Sequence, residues 1–264
     1  MMFNLFRKTL WDKRFFCLGW SLGLLAMGYL ITILFPSFHG GAIDALAANL
    51  PPALQGLVGN LQNLKQLPTY LGGQLFDVRL PIFVSVLAIL LSTSLTVGEE
   101  DKGQLRTLVS LPLSRTYIVI AKWWAIVFIC LVAMIAMIIG IEIGILQIDE
   151  SIDQSVLMRL GVLSWLLVVS LATIIFAIGL ATGSRPLTTT VGIIATVGSF
   201  LLTTFSQSVD WLKGYEWLSF LHYFPATDIA KGTVEVGNIL FYVGFIIIPL
   251  VVAIVLFRRR DIKA

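Results

Sequence analysis

The sequence predicts an all-α membrane protein with six transmembrane helices in one domain covering 1–264, and three observations carry that prediction. First, six apolar stretches, at 15–35, 80–97, 123–146, 160–180, 188–205 and 239–257, hold a single charged side chain, Glu142. A helix needs about 20 such residues to cross roughly 30 Å of hydrocarbon. Second, 58% of the 264 residues are apolar and 12% charged, with a mean hydropathy of +0.93. A soluble domain carries roughly twice that share of charge. Third, six spans put both termini on one side, and that side holds thirteen of the eighteen Lys and Arg; only Lys65, Arg79, Arg159, Lys213 and Lys231 fall opposite. The positive-inside rule then places both termini in the cytoplasm.

These observations exclude a soluble enzyme, a secreted disulfide scaffold and a disordered chain. A β-barrel fails because the runs are continuous rather than alternating. The first run has a basic flank, but its 21-residue core is too long for a signal peptide and ends at Phe35-Pro36 without a small-residue cleavage site, so a retained span is expected. Cys17 and Cys130 show no disulfide or metal spacing. The basic ends are read as anchors on anionic lipid headgroups rather than as a nucleic-acid surface.

In chain order, residues 3–14 place Phe3, Phe6 and Leu10 at helical spacing, with Arg7, Lys8, Lys13 and Arg14 around the other side. This is an interfacial amphipathic helix before the first span. The outer loop 36–79, broken by Pro51-Pro52, is expected to form short helices against the outer membrane surface. The loop 147–159 is short and acidic, and 181–187 is a tight cytoplasmic turn with Gly183 and Pro186 as breakers. The outer segment 206–238 carries Trp211, Tyr215, Trp217, Phe220, Tyr223 and Phe224, a headgroup-level density of aromatics. It is read either as lying at that level or as short helices dipping into the outer leaflet, which requires protein around their backbone ends.

The cytoplasmic segment 98–123, GEEDKGQLRTLVSLPLSRTYIVIAKW, carries the most information. Glu99, Glu100 and Asp101 suit the positive N-terminal end of a short helix over 99–111. Leu105, Leu108 and Val109 fall at i, i+3 and i+4 as one apolar stripe, and Leu111-Pro112 stops the helix. Such a helix either fits a partner's groove or lies on the inner leaflet with its leucines in lipid. The physics alone leaves both open.

The segment resembles the coupling-helix region of type-2 permeases of ATP-binding-cassette (ABC) exporters. The resemblance rests on Glu99, Glu100, Gly103, Leu105, Leu108, Ser110, Pro112, Ser114, Arg115 and Lys122; the chain departs from it at Gln104, where Thr or Ser is usual, and at Arg106, where an acid is commoner. Its layout of amphipathic N-terminal helix, six spans and helical outer segment is similar too. The resemblance implies a permease subunit of an ATP-driven exporter in a prokaryotic cytoplasmic membrane. It also implies a second permease subunit, identical or related, and separate cytosolic ATPase subunits that carry the ATP and Mg. Leu105 and Leu108 would insert into the ATPase.

No G-x-x-x-x-G-K-[ST] occurs, so the chain carries no motif for cradling nucleotide phosphates. No metalloprotease or serine-hydrolase motif occurs either, and no catalytic, cofactor or metal site is expected. His39 and His222 fall in outer loops, where His222 with Asp228 reads as a headgroup-level polar pair. Glu142, four residues from the end of its stretch, sits either at the outer interface or on the wall of an outward cavity.

In the fifth span Gly192, Thr196, Ser199 and Thr203 share one face, and the second offers Ser85, Ser92 and Thr96. Small-residue faces let backbones approach closely. They serve either packing within one subunit or, as the resemblance implies, the subunit interface and translocation route. Gly19-x-x-x-Gly23, Gly140-x-x-x-Gly144 and Gly179-x-x-x-Gly183 are weaker signals of the same kind. The rival readings are a secondary transporter, which would want broken spans and buried ionisable pairs at the midplane, and a non-transporting scaffold or assembly factor.

Overall fold

The computed structural model describes residues 2–38, 66–110, 113–206 and 209–260. All regular elements among them are helical. Six helices are long and apolar enough to cross a membrane: Arg14–Ser37, Leu67–Asp101, Arg115–Gln147, Gln154–Thr182, Arg185–Ser206 and Val236–Arg259. The expected six-span, all-α architecture is therefore what the chain adopts.

Every span runs past the limits set by its apolar run. Polar residues continue the backbone hydrogen bonding into the headgroup zone, and hydropathy reports only the stretch in hydrocarbon. The largest correction is in the second span, where 67–79 is not a surface segment but the outer end of a helix that runs through Gly72–Arg79 to Leu95. At about 1.5 Å per residue this helix is longer than a hydrocarbon layer of roughly 30 Å. The rest of the outer loop, 39–65, lies outside the described residues.

The second, third and fourth spans form the core. Two-thirds (67%) of the apolar window of the second and of the fourth is buried, against 11% in the sixth. The first span lies along the third, and the fourth lies between the second and the sixth. The first and third meet through glycines: a Cβ at Gly140 would overlap the Leu25 carbonyl, and one at Gly144 would come within 2.7 Å of Thr32 Cβ. Removing the side chains lets the backbones touch, and packing is what holds helices together in lipid.

The N-terminal helix Met2–Asp12 packs on the third span, with Phe6 edge-on to Phe128 at 6.1 Å. The outer segment is built of two short helical pieces packed on the bundle. A 3₁₀ helix, Asp210–Leu218, leaves Trp211, Tyr215 and Trp217 exposed, while Phe220, Leu221 and Phe224 turn inward. The short helix Ala226–Ala230 then docks on the second span, where the Asp77 carboxylate accepts the Ala226 N–H at 2.9 Å and the Thr227 hydroxyl at 2.6 Å. Gly72 is needed opposite, since a Cβ there would lie 3.1 Å from the Ala226 carbonyl oxygen. The second span widens into a π-helix over Gly72–Arg79 beside this contact.

Candidate functional site

Beyond a break at Thr96 the second span ends in a short helix, Val97–Asp101, and a second short helix, Gln104–Ser110, follows, rather than one helix over 99–111. Gly103 breaks them with φ +71°, a left-handed conformation that glycine adopts without steric cost. The acids thus sit on a helix of their own, and their main partners are side chains. Glu99 Oε2 accepts from Lys122 Nζ at 2.6 Å, and the same ammonium donates to the Leu95 carbonyl at 2.9 Å. Lys122 is fully buried in the third span, so only this pairing makes its charge tolerable there. Glu100 Oε1 accepts from Arg260 Nη2 at 2.5 Å, and Arg260 Nη1 donates to the Leu180 carbonyl at 2.9 Å.

Arg115, at the start of the third span, donates to the Phe257 carbonyl at 3.0 Å and to that of Arg260. Those are orphan C-terminal carbonyls of the sixth span, which a cation satisfies. Ser114 caps the third span by accepting from Tyr117 N–H at 3.3 Å. Gly183 ends the fourth span with φ +60°, and a Cβ there would collide with the Arg260 guanidinium. The Asp101–Arg185 pair, 3.9 Å apart and exposed, adds little. Burial pulls Lys13, at the entry to the first span, below the ordinary lysine range, with Glu99 opposing that shift. The acidic helix therefore ties the second span to the third by one carboxylate and to the fourth and sixth by the other.

Leu105 and Leu108 face inward in the subunit. Both are buried against the chain itself, at 0% and 9% exposure, so the apolar stripe faces the bundle. The turn at Gly103 brings the helix back over the spans, and covering leucines with the subunit's own core removes them from water. The face left open is polar: Gln104, Thr107 and Ser110. The Ser110 hydroxyl donates to the Thr107 carbonyl at 2.9 Å, and Pro112 lies outside the described residues.

The small-residue faces also turn inward. Ser85, Ser92, Thr96, Gly192, Thr196 and Ser199 are buried within the subunit. Ser92 donates to the Ala172 carbonyl at 2.8 Å, and Thr96 and Thr196 donate to carbonyls one turn back in their own helices. A Cβ at Gly192 would lie 2.8 Å from Ile89 and 3.2 Å from Ile175. Ser199 Oγ accepts from Phe220 N–H at 2.9 Å, and Thr203, half-buried, bonds Ser219 at 2.5 Å. Of the two readings these faces allowed, packing within one subunit is the one the geometry matches. The open face of the fifth span carries Ile193, Ile194, Val197 and Leu201.

Glu142 Oε1 accepts from Gln154 Nε2 at 2.8 Å, bridging the outer ends of the third and fourth spans. His222 lies 3.9 Å from Glu216 rather than beside Asp228, and no metal-holding cluster occurs among the described residues. Sequence reasoning missed the role of Arg260, which counted only as one of several basic residues at the end of the last span. A charge that precedes the chain's end by a few residues gives no sign of which carboxylate it will meet.

No curated protein matches the chain. A family model described as ABC-2 family transporter protein matches residues 26–262, all but the N-terminal helix, the start of the first span and the last two residues. The chain thus belongs to the ABC-2 transporter family and is a multi-pass membrane permease of an ABC-type transporter.

Proposed function

We propose that this permease exports its substrate across a prokaryotic cytoplasmic membrane, driven by ATP that separate cytosolic subunits bind with Mg and hydrolyse. Two six-helix subunits, identical or related, pair in the bilayer above two ATPases, with all termini in the cytoplasm. The observation that carries this reading is the acidic helix and its partners. A push on the polar face of Gln104–Ser110 reaches Glu99 and Glu100, which grip Lys122 in the third span and Arg260 at the end of the sixth. A short element linked by charge to the third and sixth spans, and through Arg260 to the fourth, suits the conversion of an ATPase movement into a rearrangement of the bundle.

The test is purification from the native membrane in mild detergent, with partner identification and ATPase assay, and then the same with Thr107→Trp. An ATPase with a phosphate-binding loop should copurify with the wild type. The variant should keep its fold and lose the partner or the coupling, because Thr107 is exposed and its replacement perturbs only a docking surface. Transport that persists when the phosphate-binding lysine of the partner is replaced would instead support an ion-driven carrier. A stable complex with no transport or ATPase would support a scaffold.

A further inference from the structure

One surface feature has no part in the coupling machinery. A groove of about 400 Å³ opens between the first and second spans, lined by Phe15, Phe16, Gly19, Trp20, Gly23 and Phe83. Its shape follows from the sequence. Phe15, Gly19 and Gly23 form one ridge of the first span at i, i+4 and i+8, and the two glycines strip that ridge of side chains above its aromatic foot. Phe16 and Trp20 form the neighbouring ridge, and Phe83 of the second span supplies the far wall. On the other side of the first span the backbones are close: a Cβ added at Gly28 would lie 2.6 Å from the Met137 carbonyl oxygen. At Gly19 and Gly23 nothing stands within 4 Å of where a Cβ would be.

Depth and charge identify an occupant. From Phe15 to Gly23 the groove rises about 12 Å along the helix, most of one leaflet of a hydrocarbon layer roughly 30 Å thick. It starts at the cytoplasmic end of the span, so it faces the inner leaflet. At its mouth the Arg14 guanidinium stacks over Trp11 at 4.3 Å and over Phe15 at 4.7 Å. It donates one N–H to the Trp11 carbonyl at 3.1 Å, and its other donors have no partner among the described residues. Arg7 and Lys8 are exposed on the adjoining helix and Lys13 precedes Arg14; against these stand Asp12, which makes no ion pair among the described residues, and Glu99, which acts on Lys13 and is paired with Lys122. The mouth is thus net cationic at headgroup level, and the groove behind it is mostly apolar, walled by aromatic rings.

We infer that this groove holds one acyl chain of an anionic phospholipid of the cytoplasmic leaflet, with its phosphate on Arg14. A zwitterionic lipid fills the same groove but brings a quaternary ammonium to a cationic mouth, so the headgroup sets the preference. The inference rests on the cytoplasmic placement of the termini but not on export, since it concerns lipid retained by the permease with or without an ATPase.

Native mass spectrometry of the purified permease, titrated with phosphatidylglycerol or phosphatidylcholine, tests it. The wild type should retain one phosphatidylglycerol about fivefold more tightly, the effect of one basic residue near a headgroup. Arg14→Gln should bring the two lipids level, while Gly19→Leu/Gly23→Leu should abolish the saturable adduct of both. The open surroundings of both glycines let the double variant fold. As a readout that needs no variant, phosphatidylglycerol with a diazirine on its acyl chain should label the segment 15–23 and Phe83. Equal retention of the two lipids by the wild type, unchanged retention by the double leucine variant, or labelling elsewhere would each overturn the inference. So would a double variant that turns dimers into monomers without changing lipid retention, which would assign the groove to a second copy of the chain.

Discussion

Removing Glu99 should destabilise the permease far more than removing its partner. Lys122 is the buried member of the pair: its side chain is 1% exposed, against 16% for Glu99. Glu99→Ala leaves the ammonium inside the bundle with the Leu95 carbonyl at 2.9 Å as its remaining acceptor. Breaking a buried pair from one side in this way costs about 3–5 kcal/mol, more than a hundredfold in the folding constant. Lys122→Met instead puts an apolar chain of similar length in the slot and leaves a carboxylate that reaches water. That volume-conserving change should cost under about 1.5 kcal/mol. The double variant Glu99→Gln/Lys122→Met should recover most of the loss, since replacing both members of a buried pair is often neutral. Denaturant titration in detergent, followed by tryptophan fluorescence, measures all three. If Glu99→Ala proved no worse than Lys122→Met, the burial argument would be refuted.

Gly140→Ala should destabilise by about 1–3 kcal/mol or more, because its methyl group meets the Leu25 backbone carbonyl rather than a movable side chain. Gly161→Ala, with Ile138 at an ordinary 3.4 Å, should be tolerated, and equal effects in a thermal-retention assay would contradict the close approach. Asp153 caps the fourth span by accepting from Ser155, and those hydrogen bonds hold its carboxyl below the usual range. Its contribution is therefore complete above the ordinary carboxylate pKa and fades as pH falls through the depressed folded value. Asp153→Asn should remove that acid-limb dependence, and an unchanged acid limb would count against the cap. Along the fifth span, cysteines at Val197 or Leu201 should crosslink between subunits while those at Thr196 or Ser199 should not, because the hydroxyl face is turned into its own subunit. The reverse pattern in membranes would restore the small-residue face as the interface.

Much of this molecule is settled by local physics. Apolar runs and charge asymmetry determine six helical spans, because lipid leaves a spanning backbone no partner but its own. Close packing at Gly140 and Gly144 was legible from spacing alone; the permease assignment came from a family resemblance carried by Glu99, Glu100 and the motif that follows, and the family match over 26–262 bears it out. What spacing does not contain is direction. Periodicity put Leu105 with Leu108, and Thr196 with Ser199, on common faces, yet only the tertiary structure turned those faces toward the subunit's own core. The reason is that a face of one helix is buried by whatever lies opposite, and that is decided by helices distant in sequence. The charges show the same division. Glu99 and Glu100 are adjacent, but one meets Lys122 and the other Arg260, 160 residues away. Their side chains diverge on a short helix whose position depends on the break at Gly103. Sequence supplied the charges and the break; folding chose the partners, because a buried cation must find a carboxylate wherever the chain brings one.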